Sequence, residues 1–347
     1  MALIRTQLRV KIHAIAIQST AIVLVLLFAC SAIRAGQFET AVTPLPTEDI
    51  DSACHYKLNI PVPEHKIQMV WIIFVRGRDV RDLYGDPVLL AFARRFDLAL
   101  LLHGHCPGKQ PADHGDMNME PANGLGPALL RALDQLAEQT GHHELSSAKL
   151  IFMGFSGAGP LCARLVALLP ERTVAAVLSS PGHYDPVGID TVKLDQRMLS
   201  VPELIIAEGA DNVSGTSRPY EYFRKYRRQG APWAFVIQNG SPHCCTANAR
   251  ELIIMWLEAV VKQRVSGVSR VLRQMDRERG WLATFKAEET GVIDSFGLKT
   301  FDAAEPAVRP VQRRGKETAD AGWLPNRATA RLWLTFVSEP KHPILPL

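Results

Sequence analysis

Three residues of the types that together perform nucleophilic catalysis stand in turn-like stretches: Ser156 in "GFSGAG", Asp211 in "AEGADN" and His243 in "NGSPHCC". A serine hydroxyl is a poor nucleophile until a base removes its proton, and the imidazole that does so needs an acid to orient it. Each stretch follows an apolar run typical of a buried strand, and parallel strands collect ligand chemistry at their carboxyl ends. The placement therefore predicts a Ser–His–Asp hydrolytic site.

Each assignment has a competing interpretation. Ser156 can simply cap the helix that follows it, and Asp211 can be an ordinary turn residue, in which case Glu208 is the reserve acid. His243 can be a surface histidine, with His183 in "SSPGHYDP" as its nearest competitor. His183 follows the wrong strand for the base, although it can still line a pocket.

The segments around these residues predict the elements that must position them. From about residue 53 to residue 264, strand-like runs such as "QMVWIIFV" and "KLIFM" alternate with helix-like runs such as "GAGPLCARLVALLP". Strands that alternate with crossover helices imply a mainly parallel, doubly wound α/β sheet with helices on both faces. Gly154 and Ala158, on either side of Ser156, supply the small residues that a tight strand-to-helix turn needs.

The order Ser, Asp, His along the chain resembles the α/β-hydrolase fold family over residues 53–264. "GFSGA" resembles its nucleophile elbow, "AEGAD" its acid loop and "NGSPH" its histidine loop, with Ala158 where glycine is usual. The arrangement is also similar to secreted bacterial esterases of the polyhydroxybutyrate-depolymerase and feruloyl-esterase-like kind. The resemblance implies an acyl-enzyme on Ser156 and requires no cofactor.

An oxyanion hole should accompany the serine. The amide of Gly157 lies at the start of the predicted helix, where unpaired N–H groups and the helix dipole favour negative charge. A second donor is expected from "VRGRD", where relatives often have a His-Gly pair. The amide of Gly77 or Arg78 is the candidate, since Gly77 permits a close backbone approach.

The two ends of the chain differ from this central region. Residues 1–35 carry basic residues, then an apolar stretch and then small residues, the layout of a signal peptide. Cleavage after Ala32 or Ala35 is one expectation, and lipidation of Cys30 in the lipobox-like "LFAC" is the other. Residues 36–52 are expected to be a linker, and residues 265–347 a small, helical appended segment with Asn326 as a helix N-cap. We expect an exported protein, periplasmic or extracellular.

Composition narrows the classes of partner. The formal net charge of +4 over 347 residues, with scattered arginines, argues against a nucleic-acid partner. Export permits disulfides among Cys54, Cys106, Cys162, Cys244 and Cys245, whose pairing the sequence leaves open; Cys162 is expected in the core. Neither "HCC" nor the loop containing His103, His105 and His114 has the ligand spacing of a metal site, so no metal is expected.

The sequence therefore predicts a secreted serine hydrolase that cleaves carboxylic esters. The short segment from His183 to Ser200 leaves little room for a large cap domain, which favours small or polymer-bound ester substrates. Two alternatives remain open: a serine peptidase of the same fold, and a non-catalytic envelope binding protein on a hydrolase scaffold.

Overall fold

An eight-stranded sheet forms the centre of the protein. The computed structural model describes residues 36–74, 78–109, 121–182, 197–266, 271–311 and 320–340, with backbone alone for residues 78–80. The strands of the sheet are, in chain order, β1 (Gln37–Val42), β2 (Cys54–Asn59), β3 (Met69–Phe74), β4 (Leu98–His103), β5 (Lys149–Phe155), β6 (Thr173–Ser179), β7 (Glu203–Glu208) and β8 (Ala234–Gln238).

The strand order is β1-β2-β4-β3-β5-β6-β7-β8. Strands β3 to β8 run parallel, whereas β1 and β2 pair antiparallel at one edge. Every residue of β3 and β4 is buried, as expected for continuous apolar runs in a sheet covered on both faces. The predicted mainly parallel α/β sheet is confirmed.

Seven α-helices accompany the strands in the described residues. They are α1 (Arg78–Tyr84), α2 (Pro87–Arg95), α3 (Gly126–Thr140), α4 (Ala158–Leu168), α5 (Ser217–Arg227), α6 (Arg250–Arg264) and α7 (Arg327–Ser338). Two of the helix ends use capping residues of the kind that the sequence offers. The Asp86 carboxylate accepts hydrogen bonds from the amides of Val88 and Leu89 ahead of α2, and Gly141 ends α3 in the left-handed conformation at φ +76°.

The appended C-terminal segment is present and contains more than the predicted helix. Its helix α7 begins as expected, with Asn326 accepting from the Thr329 amide at 2.8 Å. It also contains a three-stranded antiparallel sheet of β9 (Trp281–Ile293), β10 (Lys299–Pro310) and β11 (Gly322–Leu324), in the order β10-β9-β11. This sheet is not predicted from the sequence. The stretch "FKAEET" of β9 is rich in good helix formers, and pairing with β10 overrides that local propensity.

The segment expected to be a linker also contributes to the fold. Gln37–Val42 pairs along its whole length with Cys54–Asn59, so this part of residues 36–52 is an edge strand of the main sheet. Its residues alternate between more and less exposed positions, which gives a weak hydrophobic signal. A strand of this kind is specified by the neighbour it pairs with more than by its own composition.

Two disulfides lie in the described residues, and the sequence left both open. Cys54 at the start of β2 is bonded to Cys106 in the loop after β4. Cys244 is bonded to its neighbour Cys245, directly after His243. Cys162 is free and buried, in agreement with its expected place in the core.

The Cys54–Cys106 bond closes a loop with a sequence separation of 52 residues. A loop of this length restricts the unfolded chain enough to stabilise the fold by about 4 kcal/mol, whereas a bond between adjacent residues restricts it very little. We therefore expect Cys54→Ala with Cys106→Ala to lower the free energy of unfolding by about 2–4 kcal/mol in urea titrations. Reductant should destabilise the wild type to the same level and leave the double variant nearly unchanged. If reductant lowered the free energy of unfolding of the double variant by a further large amount, Cys54–Cys106 would not be the disulfide that stabilises the fold.

Candidate active site

Ser156 lies in the turn between β5, which ends at Phe155, and α4, which begins at Ala158. Its φ is +55°, in the left-handed region that side-chain-bearing residues rarely adopt. The Ser156 amide donates to the Ser179 carbonyl of β6 at 2.9 Å, which ties the turn to the neighbouring strand. Strain of this kind persists only where the surroundings enforce it, and it concentrates at functional sites.

The close contact between β5 and α4 requires the small residues around the serine. A Cβ on Gly154 would overlap the carbonyl oxygen of Ala158 and lie 2.9 Å from the Cys162 sulfur. A Cβ on Gly159 would lie 2.7 Å from the Cβ of Pro181. A larger residue at Gly154 would push α4 away from β5, and one at Gly159 would push it away from the segment after β6, so that either would move the serine hydroxyl.

His243 lies in the loop after β8 and reaches both of its predicted partners. Its Nε2 is 3.1 Å from the Ser156 Oγ, and its Nδ1 is 2.7 Å from the Asp211 Oδ2. A carboxylate can only accept, so Nδ1–H donates to Asp211 and Nε2 is left to accept the serine proton. The ring of Phe155 packs at 4.9 Å from the imidazole, measured between centroids, and limits its movement on one side.

Asp211 is fully buried in the loop after β7. Its Oδ1 accepts hydrogen bonds from the amides of Val213 at 2.7 Å and Ser214 at 2.9 Å. Its Oδ2 is thereby left for His243. The reserve acid Glu208 is also buried, but its Oε1 accepts from the Gln238 side chain at 3.0 Å. The structure thus places Asp211 at the histidine, and places Glu208 in a different hydrogen bond.

The predicted oxyanion donors are only partly placed. Gly157 immediately precedes α4, so its amide belongs to the helix start, whose N–H groups have no partner within the helix. Gly77 lies outside the described residues. Arg78 is the first residue of α1, where the structure describes the backbone alone.

Among the described residues, the other histidines considered from the sequence lie away from this site. His103 is fully buried at the end of β4, between the rings of Tyr56 and Phe74. Burial, with a further contribution from His105, lowers the pKa of His103 to about 3, so that this ring stays neutral at ordinary pH. His114 and His183 lie outside the described residues.

Several residues that hold the site together carried no recognisable signal in the sequence. The Thr246 hydroxyl, three residues after His243, shares a 2.8 Å hydrogen bond with the Ser179 hydroxyl at the end of β6. The Asn239 side chain, four residues before His243, bonds to the C-terminal segment. Such residues lie in loops of ordinary composition, and only the three-dimensional arrangement shows what they contact.

Within the described ranges, His, Cys, Asp and Glu side chains do not gather in groups of three or more that could hold a metal ion. No helix in the same residues has both the length and the apolar character needed to cross a membrane.

Comparison with known proteins gives similarity only at the level of three-dimensional structure. No protein-family model and no curated protein sequence matches the chain. Among solved structures, esterase PE8 is similar at 21% identity, covering 58% of this chain and 97% of its own, with a TM-score of 0.43. MGS-M1, an α/β-hydrolase enzyme from a Medee basin deep-sea metagenome library, is 14% identical and covers 66% and 99%, with a TM-score of 0.47. A ferulic acid esterase is 11% identical and covers 65% and 98%, with a TM-score of 0.47.

The backbone strain at Ser156 can be measured directly. Glycine adopts positive φ without penalty, so Ser156→Gly should be more stable than Ser156→Ala by about 1 kcal/mol in urea unfolding. Ser200 is the matched control, because it lies outside the set of residues with positive φ. There the order should reverse, with Ser200→Gly the less stable of the pair. Equal stability of the two Ser156 variants would show that the turn is unstrained.

Proposed function

We propose that the protein is an exported serine hydrolase that cleaves carboxylic esters through an acyl-enzyme on Ser156. The observation that carries the proposal is the continuous hydrogen-bond chain from Ser156 through His243 to the buried Asp211. It begins at a serine in a strained turn between a parallel strand and a helix. This combination activates a hydroxyl and presents it at the carboxyl ends of the parallel strands.

The reaction follows from the positions of the three side chains. Ser156 Oγ attacks the ester carbonyl while His243 Nε2 takes the hydroxyl proton, and Asp211 stabilises the imidazolium that forms. The tetrahedral intermediate collapses, and the imidazolium returns its proton to the leaving alcohol. A water molecule, deprotonated by the same nitrogen, then hydrolyses the acyl-enzyme and regenerates the serine.

The negative charge of the intermediate needs donors that are already in place. The Gly157 amide at the start of α4 is the first donor in this proposal, assisted by the dipole of the helix. The second donor is the amide of Gly77 or Arg78, in the connection from β3 to α1. That connection leaves the carboxyl end of the strand next to β5, which supports its assignment to the same site.

Export and the type of substrate are further parts of the proposal. The signal-like residues 1–35 support export, and the Cys54–Cys106 and Cys244–Cys245 disulfides fit an oxidising compartment. Lipidation of Cys30 would keep the exported enzyme at a membrane surface. The short connection from β6 to β7 supports a substrate that is a small or polymer-bound ester.

Hydrolysis of p-nitrophenyl acetate and butyrate tests the nucleophile and the base. We expect Ser156→Ala and His243→Ala to lower kcat/KM by roughly 10⁴- to 10⁶-fold, since each removes a member of one catalytic unit. Ser200→Ala and His65→Ala are the matched controls. His65 makes a comparable 2.7 Å contact with Asp97 away from the serine, so both controls should keep wild-type rates. A folded wild type without ester turnover would contradict the proposal.

The choice of acid can be tested in the same assay. Asp211→Asn should lower kcat by about 10⁴-fold, because an amide no longer holds the imidazole in the tautomer that accepts the serine proton. Glu208→Gln keeps the acceptor for Gln238 and should lower kcat less than tenfold. The reverse order of effects would assign the acid to Glu208.

Two further assays separate the alternatives. A serine peptidase of this fold would cleave peptide anilides as well as activated esters, whereas the proposed esterase should leave the anilides intact. A binding protein on the same scaffold would hydrolyse neither. Activity on peptide anilides that exceeds activity on esters would replace the esterase proposal with the peptidase.

A further inference from the structure

The C-terminal segment, residues 271–340 as far as they are described, packs against the loop that carries Asp211. The Ser295 hydroxyl donates to the Asn212 carbonyl at 3.3 Å, next to the buried acid. At the far end of that loop, the Phe301 amide of β10 donates to the Thr216 hydroxyl at 2.9 Å. The acid loop is therefore bonded to the segment beside Asp211 and again at its far end.

The same segment holds the loop that carries His243, through Asn239. The Asn239 Nδ2 donates to the Ala303 carbonyl of β10 at 3.0 Å and to the Val337 carbonyl of α7 at 2.9 Å. Its Oδ1 accepts from the Ala303 amide at 2.9 Å. All three bonds of this side chain go to the C-terminal segment, so the start of the histidine loop is fixed to it.

Asp302 lies where the two loops meet. Its Oδ1 accepts from the Gly240 amide at 2.9 Å, three residues before His243. The same oxygen lies against the Cα of Gly209, two residues before Asp211, where any Cβ would overlap it. The two loops are also bonded directly, by the Ala210 amide to the Ser241 carbonyl at 2.9 Å. One carboxylate thus contacts both loops at their junction.

This location is costly for a carboxylate, because burial raises the pKa of Asp302 and its hydrogen bond from Gly240 only partly opposes that effect. Gly240 has φ +70°, so the loop turns sharply at the residue that Asp302 holds. The partly buried carboxylate of Asp302 lies beside this turn and contacts both loops. These contacts are those expected of a residue that fixes the relative position of the loops.

We propose that the C-terminal segment is a positioning element of the active site, and that Asp302 and Asn239 are the positioning residues that align His243 with Ser156 and Asp211. The inference rests on the proposed function, since the alignment matters for catalysis only if these residues are catalytic. Neither Asp302 nor Asn239 needs to touch the substrate. Their removal should therefore slow the chemical step more than it weakens substrate binding.

Asp302→Ala removes the acceptor for Gly240, whereas Asp302→Asn removes the charge and keeps an oxygen acceptor. We expect Asp302→Ala and Asn239→Ala to lower kcat for p-nitrophenyl butyrate by roughly 10- to 100-fold, with KM changed less than about threefold. Asp302→Asn should recover most of the rate. Glu289→Ala is the matched control, since it removes an exposed carboxylate of the same hairpin that pairs with Lys299.

A second measurement keeps the inference separate from the proposed function. The His243 Nδ1–H that donates to Asp211 should give a downfield proton resonance, assigned by its loss in His243→Ala. We expect this resonance to shift or broaden in Asp302→Ala and to stay in place in Asp302→Asn and Glu289→Ala. This readout does not depend on turnover, so an inert wild type would refute the proposed function and leave the positioning test intact.

Two results would overturn the positioning role. The first is a folded Asp302→Ala protein with wild-type kcat and an unchanged Nδ1–H resonance. The second is an Asp302→Asn protein as impaired as Asp302→Ala in both measurements, because the hydrogen bond to Gly240 would then not be the contact that matters.

Discussion

The buried carboxylate of Asp211 is the constraint on which the rest of the site depends. A charge that is fully removed from water is tolerated only when hydrogen bonds replace its hydration. Here the Val213 and Ser214 amides bond to one oxygen and the His243 ring bonds to the other. The loop after β7 must therefore fold tightly around the acid, and the histidine must stay within reach of it. The position of the imidazole over the serine then follows from where the acid is held.

Two different parts of the chain hold the three side chains in position. The parallel sheet fixes the serine, because β5 and α4 meet at residues too close for any side chain larger than those present, and β6 holds the Ser156 amide. The acid and histidine loops extend from β7 and β8, near the edge of the sheet, where fewer strands flank them. The C-terminal segment covers that edge and bonds to both loops. The sheet holds Ser156, and the appended hairpin and helix hold the loops that carry Asp211 and His243.

The sequence was most informative where local chemistry is unambiguous. Continuous apolar runs such as Met69–Phe74 predict buried parallel strands, and a serine between glycines at a strand-to-helix junction predicts a sharp turn; the structure has both. It was least informative where a neighbour in space decides the outcome. The edge strand Gln37–Val42 and the charged hairpin β9–β10 are specified by their pairing partners, and the contact of Asp302 with Gly240 joins residues 62 positions apart. The pairing of the cysteines is likewise decided by which of them lie close together in the fold.

The most direct measurement is labelling of the folded protein with a fluorophosphonate, followed by peptide mapping by mass spectrometry. This reagent reacts with a serine only when a base removes its proton and nearby donors stabilise the phosphonyl oxygen, so it tests the hydrogen-bond chain without any assumption about the natural ester. We expect one adduct per chain, located on Ser156, and its loss in His243→Ala. A folded protein that remains unlabelled, or an adduct on another serine such as Ser180, would contradict the assignment of Ser156 as an activated nucleophile.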